Sequence, residues 1–250
     1  NFIGTKENPS RIIGYGKSKG SLIHYNGSFQ SNNLIVENLS FPNMQQLILY
    51  GGINLINSKN RIINTIILNS SSEDAINIIN SKTYIDELFI KNSLSDAIDV
   101  DGGTLSFGKI QCENIKNDCL DISGNEVRGD LLIAKKIGDK GFSAGEKSLG
   151  KIKIIKISDT EIGLAVKDSS NIELNELNSE KVKLDIAVFN KKLEFGPSKL
   201  KIKNNTNFYN YLVGENNELE ISSKQITDKF INNIVEKKLY GNEYGAKTIR

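Results

Sequence analysis

One stretch of the chain repeats itself every 22 residues, and that period excludes most folds before any residue is considered singly. "SSEDAINIIN" (71–80) aligns with "SLSDAIDVDG" (93–102), "IKNDCLDISG" (115–124), "IGDKGFSAGE" (137–146), "DTEIGLAVKD" (159–168) and "VKLDIAVFN" (182–190). The same step links Asp74, Asp96, Asp118 and Lys140. It also links Ile76, Ile98, Leu120, Phe142, Leu164 and Ile186, and again Ile78, Val100, Ile122, Ala144, Val166 and Val188. From 74 to 190 the alignment needs no gap.

Each unit carries an apolar–x–apolar center, the alternation of a strand with one buried face. The other half of the unit supplies further alternating stretches, such as "YIDELFI", "LSFGKI", "KIKIIKI" and "NIELNEL". Two or three short strands per unit stack into a parallel β-helix, an all-β solenoid with coils about 4.8 Å apart. The right-handed form follows from the usual hand of parallel crossovers. Leucine-rich repeats share the period, but their leucine ladder and asparagine spacing are absent. Ile76 to Ile186 are expected to form one buried column.

With 250 residues, 38% hydrophobic and 25% charged, the chain can bury one elongated core. A formal charge of +2 gives no general pull toward nucleic acid, and no apolar run is long enough to span a bilayer. The start, "NFIGTKENPSRIIGYG", shows no signal peptide and reads as a coil in progress, as in a piece cut from a longer protein. We expect the β-helix over 1–222 and a capping helix with a tail over 223–250.

Cys119 falls in a column of small residues (Ala75, Ala97, Gly141, Gly163), and Cys112 follows Ile90 by one unit. Both read as buried free thiols that fill space. His24 is the only histidine, which removes a His-based metal site or a Ser-His-Asp triad. "GYGKSKGS" (14–21) resembles a phosphate loop, but Arg11 stands where that motif needs glycine, so it reads as a turn. "TDKFINNIVEKKLYG" (227–241) breaks the period and predicts a helix, with Thr227 as N-cap, Gly241 as stop and Phe230, Ile231, Ile234, Val235 and Leu239 on one face. Such a helix can cap the last coil, pack along its side, or dock a partner domain.

The polar positions carry the chemistry. If Ile98 and Val100 point inward, Asp99 and Asp101 point outward, and Asp99 lies over Asn77 and under Asp121. Asp96 and Asp118 stack in the preceding turn. Carboxylates roughly 5 Å apart repel, so they bind a cation, share a proton, or are neutralized by Lys140, Lys147 and Lys167. Asp99, Asp121, Lys140, Glu146, Lys167 and Asp168 are the candidate catalytic groups, and Asp96, Asp101, Asp118 and Lys147 candidate substrate contacts. Asp99, Asp101 and Asp121 form an oxygen-only set suited to calcium. The competing reading is structural: Asp96, Asp118 and Asp168 cap backbone N–H groups at coil corners, and lysines pair with them.

The succession "GTKENPSRI", "EDAINI", "SDAIDVD", "NDCLDISG", "GDKGFSAGEKS", "GLAVKDSS" and "FNKKLEFGP" resembles the right-handed parallel β-helix domain of bacterial proteins that accompanies CotH-type kinase-like domains. "GDKGFSAGEKS" followed by "AVKDSS" is its most specific part, and Cys119 departs from the usual alanine or glycine. The resemblance implies an extracytoplasmic or cell-surface module without an assigned reaction, and the CotH-type catalytic region itself is missing. Two classes of function follow. One is a binding or structural module whose sheet face engages an acidic polysaccharide or another domain of the same protein. The other is a polysaccharide lyase, epimerase or glycoside hydrolase, with a phage tailspike-like fragment as a further alternative. The absence of Trp weighs against sugar stacking on this face.

Overall fold

The structure is a computed structural model that describes residues 1–16, 20–42, 49–204, 209–241 and 243–244. In chain order the strands are β1 (Phe2–Ile3), β2 (Ser10–Ile13), β3 (Leu22–Tyr25), β4 (Ser28–Glu37), β5 (Gly51–Ile56), β6 (Lys59–Ser70), β7 (Asp74–Ser93) and β8 (Asp96–Ile115). They continue as β9 (Leu120–Gly145), β10 (Leu149–Lys167), β11 (Asn171–Phe189), β12 (Lys199–Asn204), β13 (Tyr211–Val213), β14 (Glu218–Ile221) and β15 (Lys224–Gln225), and one helix follows, α1 (Asn232–Leu239). The strands stack in parallel into a β-solenoid of about nine coils. Only the β14–β15 pair is antiparallel among the described residues.

The apolar columns are in register. Ile76 pairs with Ile98, Ile98 with Leu120, and Leu164 with both Phe142 and Ile186. All six side chains are buried, as are Ile78, Val100, Ile122, Ala144, Val166 and Val188. The period is less regular than the sequence alignment implies. Leu149 pairs with Glu126, a step of 23, whereas Leu164 pairs with Phe142, a step of 22. The extra residue enters at the corner where Glu146 and Lys147 both take positive φ, and a register shift between Thr160 and Ile162 restores the count.

Corners are made by left-handed residues, mostly asparagine, which adopts this conformation at least cost after glycine. Asn69, Asn92 and Asn114 all have positive φ. Their side chains form a ladder: Asn92 Nδ2 donates to Asn69 Oδ1 at 2.9 Å, and Asn114 Nδ2 to Asn92 Oδ1 at 2.7 Å. The turn expected over 14–21 lies partly outside the described residues, with Gly16 and Gly20 both at φ 72.

Two expectations are corrected. Cys112 and Cys119 are not free thiols: they form a disulfide with Cα atoms 5.8 Å apart. Vertical alignment compares a residue with its equivalents in other coils, here Ile90 and Ala134 for Cys112, but the two cysteines meet sideways across one corner. The helix is also shorter than expected. It starts at Asn232 after Ile231, without a side-chain cap, so Thr227 is not the N-cap. Phe230 is held extended instead, bridging Gly214 and donating its N–H to the Val213 carbonyl. Phe230, Ile231 and Ile234 are exposed, and only Val235 and Leu239 are buried. These two pack along the side of the solenoid, against Ile162, Leu184, Ala187, Phe189 and Leu212.

Candidate functional site: the carboxyl face

Pleating sends the residues between the buried columns outward. On one wall this creates three rows that run along the solenoid. Asp74, Asp96, Asp118 and Lys140 make the first; Asn77, Asp99, Asp121 and Ser143 the second; Ile79, Asp101 and Ser123 the third, followed by Gly145 and Lys167. Toward the C-terminus the same rows become Ile162, Leu184, Ala187 and Phe189, which α1 covers. The wall is therefore acidic in its early coils, cationic in the middle and apolar under the helix.

Asp99 and Asp121 lie side by side as expected, and Asn77 is the other neighbor of Asp99. Asn77 Nδ2 donates to Asp74 Oδ2 at 2.9 Å and to Asp99 Oδ2 at 3.2 Å. Asp121 Oδ1 lies 3.9 Å from Lys167 Nζ, which donates to Ser143 Oγ at 2.8 Å. Lys140 is buried between two carboxylates, 2.6 Å from Asp139 Oδ2 and 3.4 Å from Asp118 Oδ1. Its ammonium also sits 5.4 Å from the Tyr240 ring center.

The corner aspartates do act as caps. Asp96 Oδ1 accepts the Asp118 N–H at 2.7 Å, Asp118 Oδ1 accepts the Lys140 N–H at 2.8 Å, and Asp168 Oδ1 accepts the N–H groups of Lys191 and Lys192. Glu146 pairs with Lys192, and Lys147 Nζ lies over the Phe195 ring. Glu146, Lys147 and Asp168 thus fasten the loop at 190–197. Of these three, Glu146 also bears on the carboxyl face, since its charge acts on Asp101.

Burial and crowding put protons on this wall. Burial, then the charges of Asp101 and Asp74, pushes Asp99 up to about 8. Burial likewise raises Asp74 to about 7 and, with Asp118 beside it, lifts Asp96 well above the carboxylate range. Asp101 is raised by burial and by Asp121. Asp118 goes up to about 7 through burial, against the pull of Lys140. Burial alone would lower Lys140 and Lys167, but Asp118 and Asp139 hold the first above its ordinary value and Asp121 the second. Both lysines are therefore ammonium groups at neutral pH.

The three expected calcium ligands, Asp99, Asp101 and Asp121, share the wall. No three His, Cys, Asp or Glu side chains form a group that could hold a metal ion among the described residues. The residues missed in the sequence are Lys192, which lies in a loop outside the period, Asp139 and Ser143. The 22-residue step does flag Asp74, Asn77 and Ser143, as members of the same outward rows.

Among the described residues, no helix is long and apolar enough to cross a membrane. Comparison with protein-family models, curated proteins and solved structures finds no match.

Proposed function

We propose that the chain is a β-helix binding module of a bacterial envelope or surface protein, of the kind that accompanies CotH-type domains, with the wall around Asp99, Asp101 and Asp121 as its contact surface. What supports this is the proton-bearing character of an outward face. A carboxyl group that stays protonated near neutral pH donates as well as accepts hydrogen bonds, and the oxygens of its neighbors accept them. That pairing suits the hydroxyl groups of a carbohydrate. It suits a neutral glycan better than an acidic one, because ionized carboxylates repel uronate or sulfate groups.

A second reading, glycoside hydrolysis, is favored by one observation. Asp99, raised to about 8, is a carboxylic acid with a second aspartate, Asp121, beside it on the adjoining coil, and a pair of carboxyl groups, one held neutral, is the arrangement that cleaves glycosidic bonds. A lyase or epimerase that uses Lys140 or Lys167 as its base is disfavored, since both are held protonated.

The test is incubation with neutral and acidic polysaccharides, followed by measurement of retained sugar and of new reducing ends. Retention of a neutral glycan that Asp99→Asn with Asp121→Asn lowers supports the binding module. New reducing ends lost in Asp99→Asn support the hydrolase, and neither retention nor products would refute both.

A further inference from the structure

A second surface, on a different wall, has the chemistry of a ligand site. A groove of about 550 Å³ opens near the N-terminus, within the roughly 300–1,000 Å³ range of small-molecule sites. Its floor is a row of outward residues from four successive coils: Ile35 pairs with Ile66, Ile66 with Phe89, and Phe89 with Gln111. The three apolar members are half-buried. At coil spacing the row runs roughly 14 Å along the solenoid.

One side of the groove is a fastened turn. Asn8 N–H donates to Thr5 Oγ1 at 3.0 Å, Thr5 N–H to the Asn8 carbonyl at 3.0 Å, and Asn33 Nδ2 to the Gly4 carbonyl at 3.3 Å. A Cβ on Gly4 would come within 2.8 Å of the Asn33 carbonyl oxygen, so the turn lies tight against the sheet. The rim carries the side-chain amides of Asn64 and Gln111, and neither makes a hydrogen bond among the described residues. Each amide offers donors and an acceptor. The lining carries one cation, Lys6, and one anion, Glu87, the latter paired with Lys109 at 2.7 Å, and no cluster of like charge.

We propose that this groove binds a neutral pyranose-containing oligosaccharide. An apolar strip with an aromatic ring takes the C–H face of a sugar, and unpaired amides at its edge take hydroxyl groups that both donate and accept. The site is separate from the carboxyl face and does not rest on that face being functional.

The experiment measures binding of the whole chain to neutral hexasaccharides of glucose, xylose and N-acetylglucosamine by calorimetry and saturation-transfer NMR. One of them should bind, with saturation strongest on ring C–H protons. In a chain carrying Asp99→Asn with Asp121→Asn, where only the groove can hold the sugar, Phe89→Ala, and separately Asn64→Ala with Gln111→Ala, should each weaken the remaining binding at least tenfold. If Phe89→Ala lowers the melting temperature, the amide pair decides alone. The inference is overturned if none of the three sugars binds, if groove variants bind as the parent does, or if only the carboxyl-face variant loses binding.

Discussion

The ammonium of Lys140 lies 3.4 Å from Asp118 Oδ1, and the backbone N–H of the same lysine donates to that oxygen at 2.8 Å. One residue thus answers a buried carboxylate twice. Removing the ammonium by Lys140→Ala takes the nearest counter-charge from Asp118 and Asp139, at a cost of about 3–5 kcal/mol. Urea titration should show this, and Lys140→Ala with Asp118→Asn should recover part of it. Because protons and lysines do the neutralizing, calcium should leave the melting temperature of the parent unchanged.

Asp99 governs a pH dependence of stability. Its folded pKa is raised to about 8, so between about pH 4 and 8 the folded chain holds a proton the unfolded chain has released. Stability then falls as pH rises through this window. Asp99→Asn should flatten that slope and raise stability at pH 8.5 on the order of 1–3 kcal/mol. Urea midpoints at pH 5, 7 and 8.5 measure it, and an unaltered slope in the variant would mean Asp99 is already ionized at neutral pH.

In the core, Leu120 is fully buried between Ile98 and the next coil. Leu120→Ala should cost about 2–5 kcal/mol through the cavity it leaves. A loss below about 1 kcal/mol in a reversible denaturant titration would contradict tight packing there.

The Cys112–Cys119 bridge closes a loop across one corner. Alkylation of the unfolded, unreduced protein should therefore label neither cysteine, and labeling after reduction should be complete. Cys112→Ala with Cys119→Ala should destabilize by about 2 kcal/mol, the chain-entropy value for so short a loop. Two labeled cysteines before reduction would exclude the bridge.

How much of this was legible in the sequence depends on direction. Anything that repeats along the solenoid could be read, because a period-2 pattern within a coil and a fixed step between coils together place Ile98, Leu120 and Asp99 on the correct sides. Contacts across a coil could not, which is why Cys112 and Cys119 read as separate fillers. Insertions hid other groups: Lys192 reaches Glu146 from a loop outside the 22-residue step. The helix was placed too early because Thr227 and Phe230 fit a helical face as sequence. In the fold, the hydrogen bonds of Phe230 to Val213 and Glu215 keep it extended.

The asparagine ladder has an end. After Asn114 the same corner is occupied by Lys136, Asp159 and Lys181, each with positive φ. These keep the left-handed geometry, which costs a non-glycine residue roughly 1 kcal/mol or more, but no amide rung joins them. In a solenoid each coil is held mainly by its two neighbors, so stability is a sum of local interfaces. Under tension along its axis, this corner is a spine in its first coils and a seam in its later ones.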